Sequence, residues 1–443
     1  MKMRMLLALV VGKLLYFLGK PFGKATNLPG EIALKLCPDL LGRLHFKGKV
    51  LAVTGSNGKT TTANMVAHVL KESGCSVTNN AKGSNLLGGV ATTLLDSADF
   101  HGVVPQDYVV LEVDERFSRL IFRYFSPHLL LVTNLFRDQL TRNGNVDVII
   151  QKLHEAIKPG VKLILNGNDP ISGRLAPGNE RVYYGMEKTE RSTEQCFNIT
   201  HDAKVCPVCF GRMRYSYFHY NHIGGFCCPS CGYTNPEWTY RADGVNFETG
   251  DFFINGIPAR SDYRAAFHFL NMTAAAAACC ELGLPLEQCV KGVSSFQVSR
   301  QRYDEFTVPA ADGSDRKALM ILSKNQNPVS FDQSIAYLLD LKEEKTVIVY
   351  VNNINHTNNK DTTWLYDISF ERLAEDPSVT HMVCAGPRAW DLAVRLKLAG
   401  FDDSRVLVQT DLKKLKPDVA GTSGSICILT ELYDANAILE VLK

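Results

Sequence analysis

Two stretches of this 443-residue chain carry side chains whose types and spacing can do chemistry. The first is Thr54-Gly55-Ser56-Asn57-Gly58-Lys59-Thr60-Thr61-Thr62, set between the apolar run Val50–Val53 and a helix-forming segment that continues to Leu70. Glycines let backbone N–H groups turn toward phosphate oxygens, Lys59 can reach the β- and γ-phosphates, and the Thr60 hydroxyl can bind Mg²⁺. The expected nucleotide-binding set is therefore Gly55, Asn57, Gly58, Lys59, Thr60 and Thr61. A full eight-residue phosphate loop needs glycine where Val53 stands, so this is the compressed G-x-x-G-K-T form. The strand-loop-helix setting separates it from a chance Gly/Lys/Thr loop, and ATP is the expected ligand.

The second stretch holds Cys206-Pro-Val-Cys209 and Cys228-Pro-Ser-Cys231, separated by residues 210–227. Each C-P-x-C turn offers two thiolates, and the four together complete a tetrahedral site of the ribbon type. With every position filled by protein, zinc there is expected to be structural rather than catalytic. Iron is the alternative metal for such thiolates, and a redox role for the two pairs is the alternative chemistry. Cys227 is out of register with the turns. The aromatics between them, Tyr215, Tyr217, Phe218, His219, Tyr220 and His222, either form a recognition surface or pack around an insertion that lacks a core of its own.

These groups need a frame, and the apolar runs supply one. Val50–Thr54, Tyr108–Val113, Leu129–Thr133 and Val161–Leu165 read as strands in the first half, and Thr346–Val351, His381–Ala385, Arg405–Val408 and Ser425–Leu429 in the second. Strands spaced by helix-length segments predict an α/β protein with parallel sheets and ligands at the carboxyl ends of the strands. At one such end stands Leu111-Glu112-Val113-Asp114-Glu115, where Glu112 is the expected second Mg²⁺ ligand beside Thr60. Thr133-Asn134 ends another strand in a polar loop, a place where ligands bind. Asn166-Gly167-Asn168-Asp169-Pro170 has the composition of a turn whether or not anything binds there.

Composition sets the outer limits. A chain that is 45% hydrophobic and 21% charged is ordinary for a soluble protein of two or three domains. A formal charge of +2 gives no reason to invoke nucleic acid. Thirteen cysteines, an odd and mostly scattered set, argue against a disulfide framework and for a reducing, cytoplasmic compartment. Residues 1–20 are apolar and flanked by Lys2, Arg4 and Lys20, but Lys13 interrupts a run already too short to span a bilayer. A helix docked on the protein is one reading of this segment, and peripheral contact with the inner face of a membrane is the other.

The segments TGSNGKTTT, EVDE at Glu112–Glu115, TN at Thr133–Asn134 followed by RDQ, and LNGNDP occur in the order found in the Mur ligase family, and the chain resembles that family over nearly its whole length. The cysteine insertion, HFLNMTAAAAA at His268–Ala278, and the C-terminal segments Trp364–Asp367 and Gly386–Lys397 are similar to one branch of it. The resemblance implies a central ATP-binding domain over 46–300, with a zinc ribbon inserted at about 196–240. A helical lead-in over 1–45 precedes it, and a Rossmann-like domain over 301–443 follows a linker within Phe296–Asp315.

It further implies ATP-dependent amidation of the α-carboxylate of D-glutamate in the stem peptide of lipid II, through an acyl phosphate. The ammonia would come from a GatD-like glutaminase partner. Lys59 and Glu112 are the implied catalytic pair, Asn271 an adenine or ribose contact, and Arg300 a phosphate contact. Asp361 is the implied carboxylate that assists the partner's Cys/His pair, because the loop Asn352–Asp361 is otherwise poor in aspartate. His268, Ser299–Arg302, Thr141 and Lys324–Pro328 depart from the family pattern, most of all in the C-terminal region. The alternatives are a Mur-type ligase joining another carboxylate and amine, and a nucleotide-binding scaffold without turnover.

Overall fold

Strands covered on both faces need unbroken apolar runs, and Lys49–Thr54 (β1) is one: every residue from Val50 to Thr54 is buried. The structure, a computed structural model, describes residues 2–22, 25–81, 83–137, 146–297, 303–324, 326–352, 361–431 and 434–443. The chain divides into two units, the first comprising Met1–Phe136, Asn145–Gln195 and Asp202–Gln297, the second Arg137–Gly144, Cys196–His201 and Val298–Lys443.

In the first unit β1 is followed by β2 (Val77–Asn79), β3 (Tyr108–Glu112), β4 (Leu129–Val132), β5 (Lys162–Asn166) and β6 (Arg181–Met186). The insertion carries β7 (Arg214–Tyr220) and β8 (Ile223–Cys227), and β9 (Tyr240–Asp243), β10 (Asp251–Ile254) and β11 (Ile257–Arg260) complete the unit. Nine of these form one sheet in the order β11-β10-β9-β6-β5-β4-β1-β3-β2. It is parallel from β2 through β9 and antiparallel at β10 and β11. The chain leaves β1 toward β2 and β3 on one side and returns to β4 on the other. The strand order therefore reverses at β1, where an open α/β sheet leaves a crevice beyond its strand ends.

Helices α1 (Lys2–Gly19), α2 (Leu28–Leu36), α3 (Lys59–Glu72), α4 (Leu87–Ser97) and α5 (Ala266–Leu282) cover this sheet. Ala8, Leu9, Ala33, Val90 and Leu94 share one core with Val50, Ala52, Val109 and Leu111 of the sheet. Helix α5 is buried almost all round, and the run Ala274–Ala278 is fully inaccessible. Such short side chains let the backbone of α5 come close to α3, where Cys279 Sγ reaches Val66 O at 3.9 Å.

The second unit is a six-stranded sheet of β12 (Tyr303–Pro309), β13 (Asp315–Ser323), β14 (Lys345–Tyr350), β15 (Val379–Ala385), β16 (Val406–Gln409) and β17 (Ser425–Glu431). Its order is β12-β13-β17-β14-β15-β16, with only β12 antiparallel. Helix α6 (Pro328–Asp340) follows β13. Two apolar cores form here, one including Phe331, Leu338, Trp364 and Leu392, the other Val308, Ile348, Leu415 and Ile438.

All eight expected apolar runs are strands. The antiparallel pairs β10–β11 and β12–β13 were not among the expected runs; β11 and β12 are sheet edges whose exposed polar residues interrupt the apolar pattern. The insertion is also split: Ile199 N donates to Ser369 Oγ at 3.2 Å and the Arg372 guanidinium lies 5.4 Å from the Phe197 ring, so Cys196–His201 packs within the second unit.

Candidate nucleotide and metal sites

Sequence and topology place Thr54–Gly58 between the carboxyl ends of β3 and β4, and neighbours hold its backbone. Ser56 N donates to Asn134 O at 2.8 Å and Asn57 N to Asn134 Oδ1 at 2.9 Å, while Thr133 Oγ1 donates to Asn57 O at 2.6 Å. The Thr133-Asn134 pair thus braces the phosphate loop, a structural task that its position at a strand end did not disclose. Gly58 caps α3 with φ +82°, a conformation that favours glycine, and a Cβ there would stand 2.5 Å from Asn271 Oδ1. Asn271, 213 residues later in sequence, is thereby brought to the loop itself. No side chain caps the helix at Gly58, so its first N–H groups point at the crevice with the positive end of the helix dipole behind them.

Lys59 is buried and its ammonium makes a 2.9 Å ion pair with Glu115 Oε2. It also donates to Gly55 O, and to Ser56 O at 3.3 Å. Burial pulls its pKa down, but the carboxylates of Glu115, Asp114 and Glu112 outweigh burial and hold it well above the usual lysine value. Lys59 is therefore a fixed cation at the mouth of the loop. Glu115 is the residue that sequence reasoning passed over in favour of Glu112; its signal was the spacing of three acids in four positions after a core strand.

Glu112 plays a different part. Its Oε1 accepts from Asn85 Nδ2 at 2.7 Å, whereas Oε2 is buried without a hydrogen-bond partner among the described residues. A Cβ on Gly83 would lie 3.5 Å from both Glu112 Oε2 and Thr60 Oγ1. A carboxylate oxygen without a partner among the described residues and a hydroxyl thus lie close to one point beside Gly83, a donor set that suits a hard divalent cation such as Mg²⁺. Lys59, Thr60 and Glu112, chosen from sequence, are brought together.

The four thiols of Cys206, Cys209, Cys228 and Cys231 also converge, all within 4.8 Å of one another. Cys206 and Cys231 are 3.7 Å apart at Sγ, Cys209 and Cys228 3.5 Å. Metal–thiolate bonds of about 2.3 Å in a tetrahedron set neighbouring sulfurs about 3.8 Å apart, so the cluster fits a four-thiolate centre. Cys227 is exposed at the end of β8, paired with Arg214 in the strand ladder and outside the cluster. Tyr215 of β7 stacks on Phe218 with ring centroids 4.5 Å apart, and Phe218, Tyr220 and, just beyond the strand, His222 are buried. Packing accounts for these three, while Tyr215, Tyr217 and His219 are half-buried.

His222 joins the insertion to the first unit's sheet. Its Nε2 is 3.1 Å from Asp169 Oδ1, both side chains are fully buried, and Asp169 Oδ2 accepts from Leu135 N at 2.9 Å. The turn at Asn166–Pro170 is a junction as well as a turn. Asn168 Nδ2 donates to Met186 O at 3.1 Å, and Gly224 N of the insertion donates to Asn168 O at 3.0 Å.

Comparison with known proteins gives these sites a lineage. Residues 53–226 match the Mur ligase middle domain, and residues 322–433 match the MurT ligase C-terminal domain. Over 448 aligned residues, 100% of this chain and 98% of the relative, the chain is 30% identical to the Staphylococcus aureus (strain COL) lipid II isoglutaminyl synthase (glutamine-hydrolyzing) subunit MurT. The chain belongs to the Mur ligase family.

Solved Mur ligases share the fold at lower identity. A pseudomurein peptide ligase type C from Methanothermus fervidus superposes with a TM-score of 0.67 at 21% identity, covering 92% of this chain and 81% of that one. A MurF ligase from Thermotoga maritima, solved in complex with ADP, gives 0.58 at 15% identity, covering 94% and 83%. In this Mur ligase, Asp361 accepts from Thr363 N at 2.9 Å and from Thr363 Oγ1 at 2.7 Å, opening a short 3₁₀ turn. Arg300 and Thr141 lie outside the described residues, as do all of residues 353–360.

Proposed function

We propose that this Mur ligase is the ATP-using subunit of an amidating pair, converting the α-carboxylate of D-glutamate in the lipid II stem peptide to a carboxamide. The observation that carries the reading is Lys59, Thr60 and Glu112 gathered at an uncapped helix start, in a chain similar from end to end to a lipid II isoglutaminyl synthase subunit. The relative's name supports glutamine as the nitrogen source and a second, glutaminase subunit as its supplier.

A carboxylate does not yield to ammonia directly. A carboxylate oxygen attacks the γ-phosphorus of ATP, the bond to the β,γ-bridging oxygen breaks, and ADP leaves an acyl phosphate. The nitrogen lone pair of ammonia then attacks the acyl carbon; the C–O bond to phosphate breaks, and one ammonia proton passes to phosphate or solvent. Positioning and charge do most of this work. The N–H groups of Gly58, Thr60 and Thr61 cradle the phosphates, with Asn57 held beside them by its bond to Asn134, and Lys59 neutralises charge on the transferred group. Gly55 and Gly58 keep the loop clear of side chains, and Asn271 contacts the nucleotide from its place beside Gly58. Thr60 and Glu112 would hold Mg²⁺, which would supply positive charge to offset that of the phosphates. Cys206, Cys209, Cys228 and Cys231 would hold structural Zn²⁺, fixing the two turns of the insertion. Arg300 is assigned to phosphate, and Asp361 to the partner's catalytic pair.

The test is mass spectrometry of lipid II after incubation with the purified chain, ATP, Mg²⁺ and concentrated ammonium, which replaces the partner. A mass loss of about one unit per stem, as O and H exchange for NH₂, is expected, and Lys59→Ala should lower the rate by about 10³-fold or more. Absence of amidated product with ATP bound would overturn the reading.

A further inference from the structure

Helix α1 buries one side and leaves the other uncovered. Ala8 and Leu9 are fully buried, and a Cβ on Gly12 would lie 3.1 Å from Leu95 of α4 and 3.3 Å from Ala33 of α2. That face is held against two helices, so α1 has no freedom to roll its other face inward. On the other face Met3, Leu7, Val10, Leu14, Phe17 and Leu18 are all exposed, from 45% at Val10 to 83% at Met3. At helical spacing they fall within an arc of about 100°, one continuous stripe about 23 Å long. Scattered exposed leucines need no explanation, whereas a contiguous apolar patch of this kind does.

Charge decides what covers it. Residues 1–30 contain five basic residues, Lys2, Arg4, Lys13, Lys20 and Lys24, and no acidic one. On the helical projection Lys13 and Lys20 border one edge of the stripe and Arg4 the other. Lys13 turns back to Asp96 O at 2.8 Å, while Arg4 and Lys20 are exposed. A second copy laid on the same stripe would set these cations against cations with no acid of α1 to answer them. An anionic bilayer surface answers both features at once, taking apolar side chains below its headgroups and cations among its phosphates. No helix of the described residues is long and apolar enough to cross a membrane, which leaves α1 lying on the surface.

We infer that α1 is an interfacial membrane helix which seats the first unit on an anionic phospholipid surface through its Met3–Leu18 stripe. The physical argument is the surface of α1 itself. The amidation reading adds the use for it, since a lipid-borne substrate is met at a surface.

Co-sedimentation of the full chain with vesicles of phosphatidylglycerol and phosphatidylcholine (1:3) tests this without ATP, stem peptide or partner, so failure of the amidation reading leaves it untouched. The chain is expected to pellet with these vesicles. Combined Leu7→Glu, Leu14→Glu and Phe17→Glu should lower the partition coefficient at least about tenfold with an unchanged melting temperature, because all three side chains are exposed. Arg4→Gln and Lys20→Gln should each lower it about fivefold, with less effect on pure phosphatidylcholine. A wild-type chain that stays in the supernatant overturns the inference, as does equal pelleting of the triple variant. A wild-type dimer dissolved by the same three substitutions also overturns it, naming a second copy as the occupant.

Discussion

Both units of this Mur ligase send a parallel strand into a loop and a helix, yet the two helix starts are built in opposite ways. In the first unit, α3 begins at Gly58, which has no side chain with which to cap the N-terminal amides. In the second, α6 begins at Asn327, whose Oδ1 accepts from Ser330 N at 2.7 Å, and Pro328 occupies the first helical turn. The second helix satisfies its own orphan donors, whereas the first leaves them for a ligand. The surroundings agree. Lys59, Glu112 and Glu115 crowd the first helix start, while Gln326 N donates to Glu431 Oε1 at 2.8 Å near the second. Topology makes a binding crevice available; the capping residue decides whether it is open.

The sharpest break of that comparison is Gly58→Ala. The new Cβ would meet Asn271 Oδ1 in a backbone conformation that costs a non-glycine residue about 1–2 kcal/mol. Because the loop amides must also shift, ATP affinity measured by calorimetry is expected to fall by about 100-fold or more. Cys228→Ser should reduce bound metal, measured by elemental analysis, from about one ion per chain to a small fraction. It should also lower the melting temperature of the first unit and leave the second unit's transition in place.

Acid sharpens the contrast, since both of the buried histidines concerned lie in the first unit. Burial brings His219 and His268 down to about 4. His219 Nε2–H donates to Met186 O at 3.1 Å, so Nδ1 accepts from Ser192 Oγ at 3.0 Å, an arrangement of the neutral ring. Because the folded values lie below the unfolded one near 6.5, the unfolded state takes up protons first. Stability is complete above about 6.5 and falls as pH drops toward 4, by about 3 kcal/mol per histidine at most. Denaturant titrations across that range should show the loss, and His219→Gln should flatten part of it. The smallest effect is expected of Asn327→Ala, which should cost the second unit about 1 kcal/mol in denaturant unfolding and leave ATP affinity unchanged.

The phosphate loop and the C-P-x-C pairs were legible because their chemistry is local. Glycine at 58, lysine and threonine after it, and two closely spaced thiols in each turn carry their meaning within a few residues. The strand runs were legible for a related reason: parallel strands buried on both faces have to be apolar throughout. Other assignments depended on residues distant in sequence. Nothing near Thr133-Asn134 announces that it braces the loop at Ser56 and Asn57, because that contact requires β1 and β4 to be neighbours in the sheet.

Choosing between Glu112 and Glu115 needed three dimensions. Glu112 ends β3 and Glu115 follows it, but the backbone turns Glu115 to Lys59 and leaves Glu112 Oε2 beside Thr60 and Gly83. His222 and Asp169 are likewise unremarkable as letters and form one buried pair only when the insertion closes on the sheet.

The sequence by itself determined the chemistry on offer: a phosphate-binding loop, four metal-ready thiols, two parallel sheets and a basic, apolar first helix. Tertiary structure alone decided which carboxylate meets the lysine, which asparagines support the loop, and which face of α1 stays bare. The reason is physical. Backbone propensity and ligand chemistry act over a few residues, whereas burial, ion pairing and exposure are properties of neighbours that only the folded chain brings together.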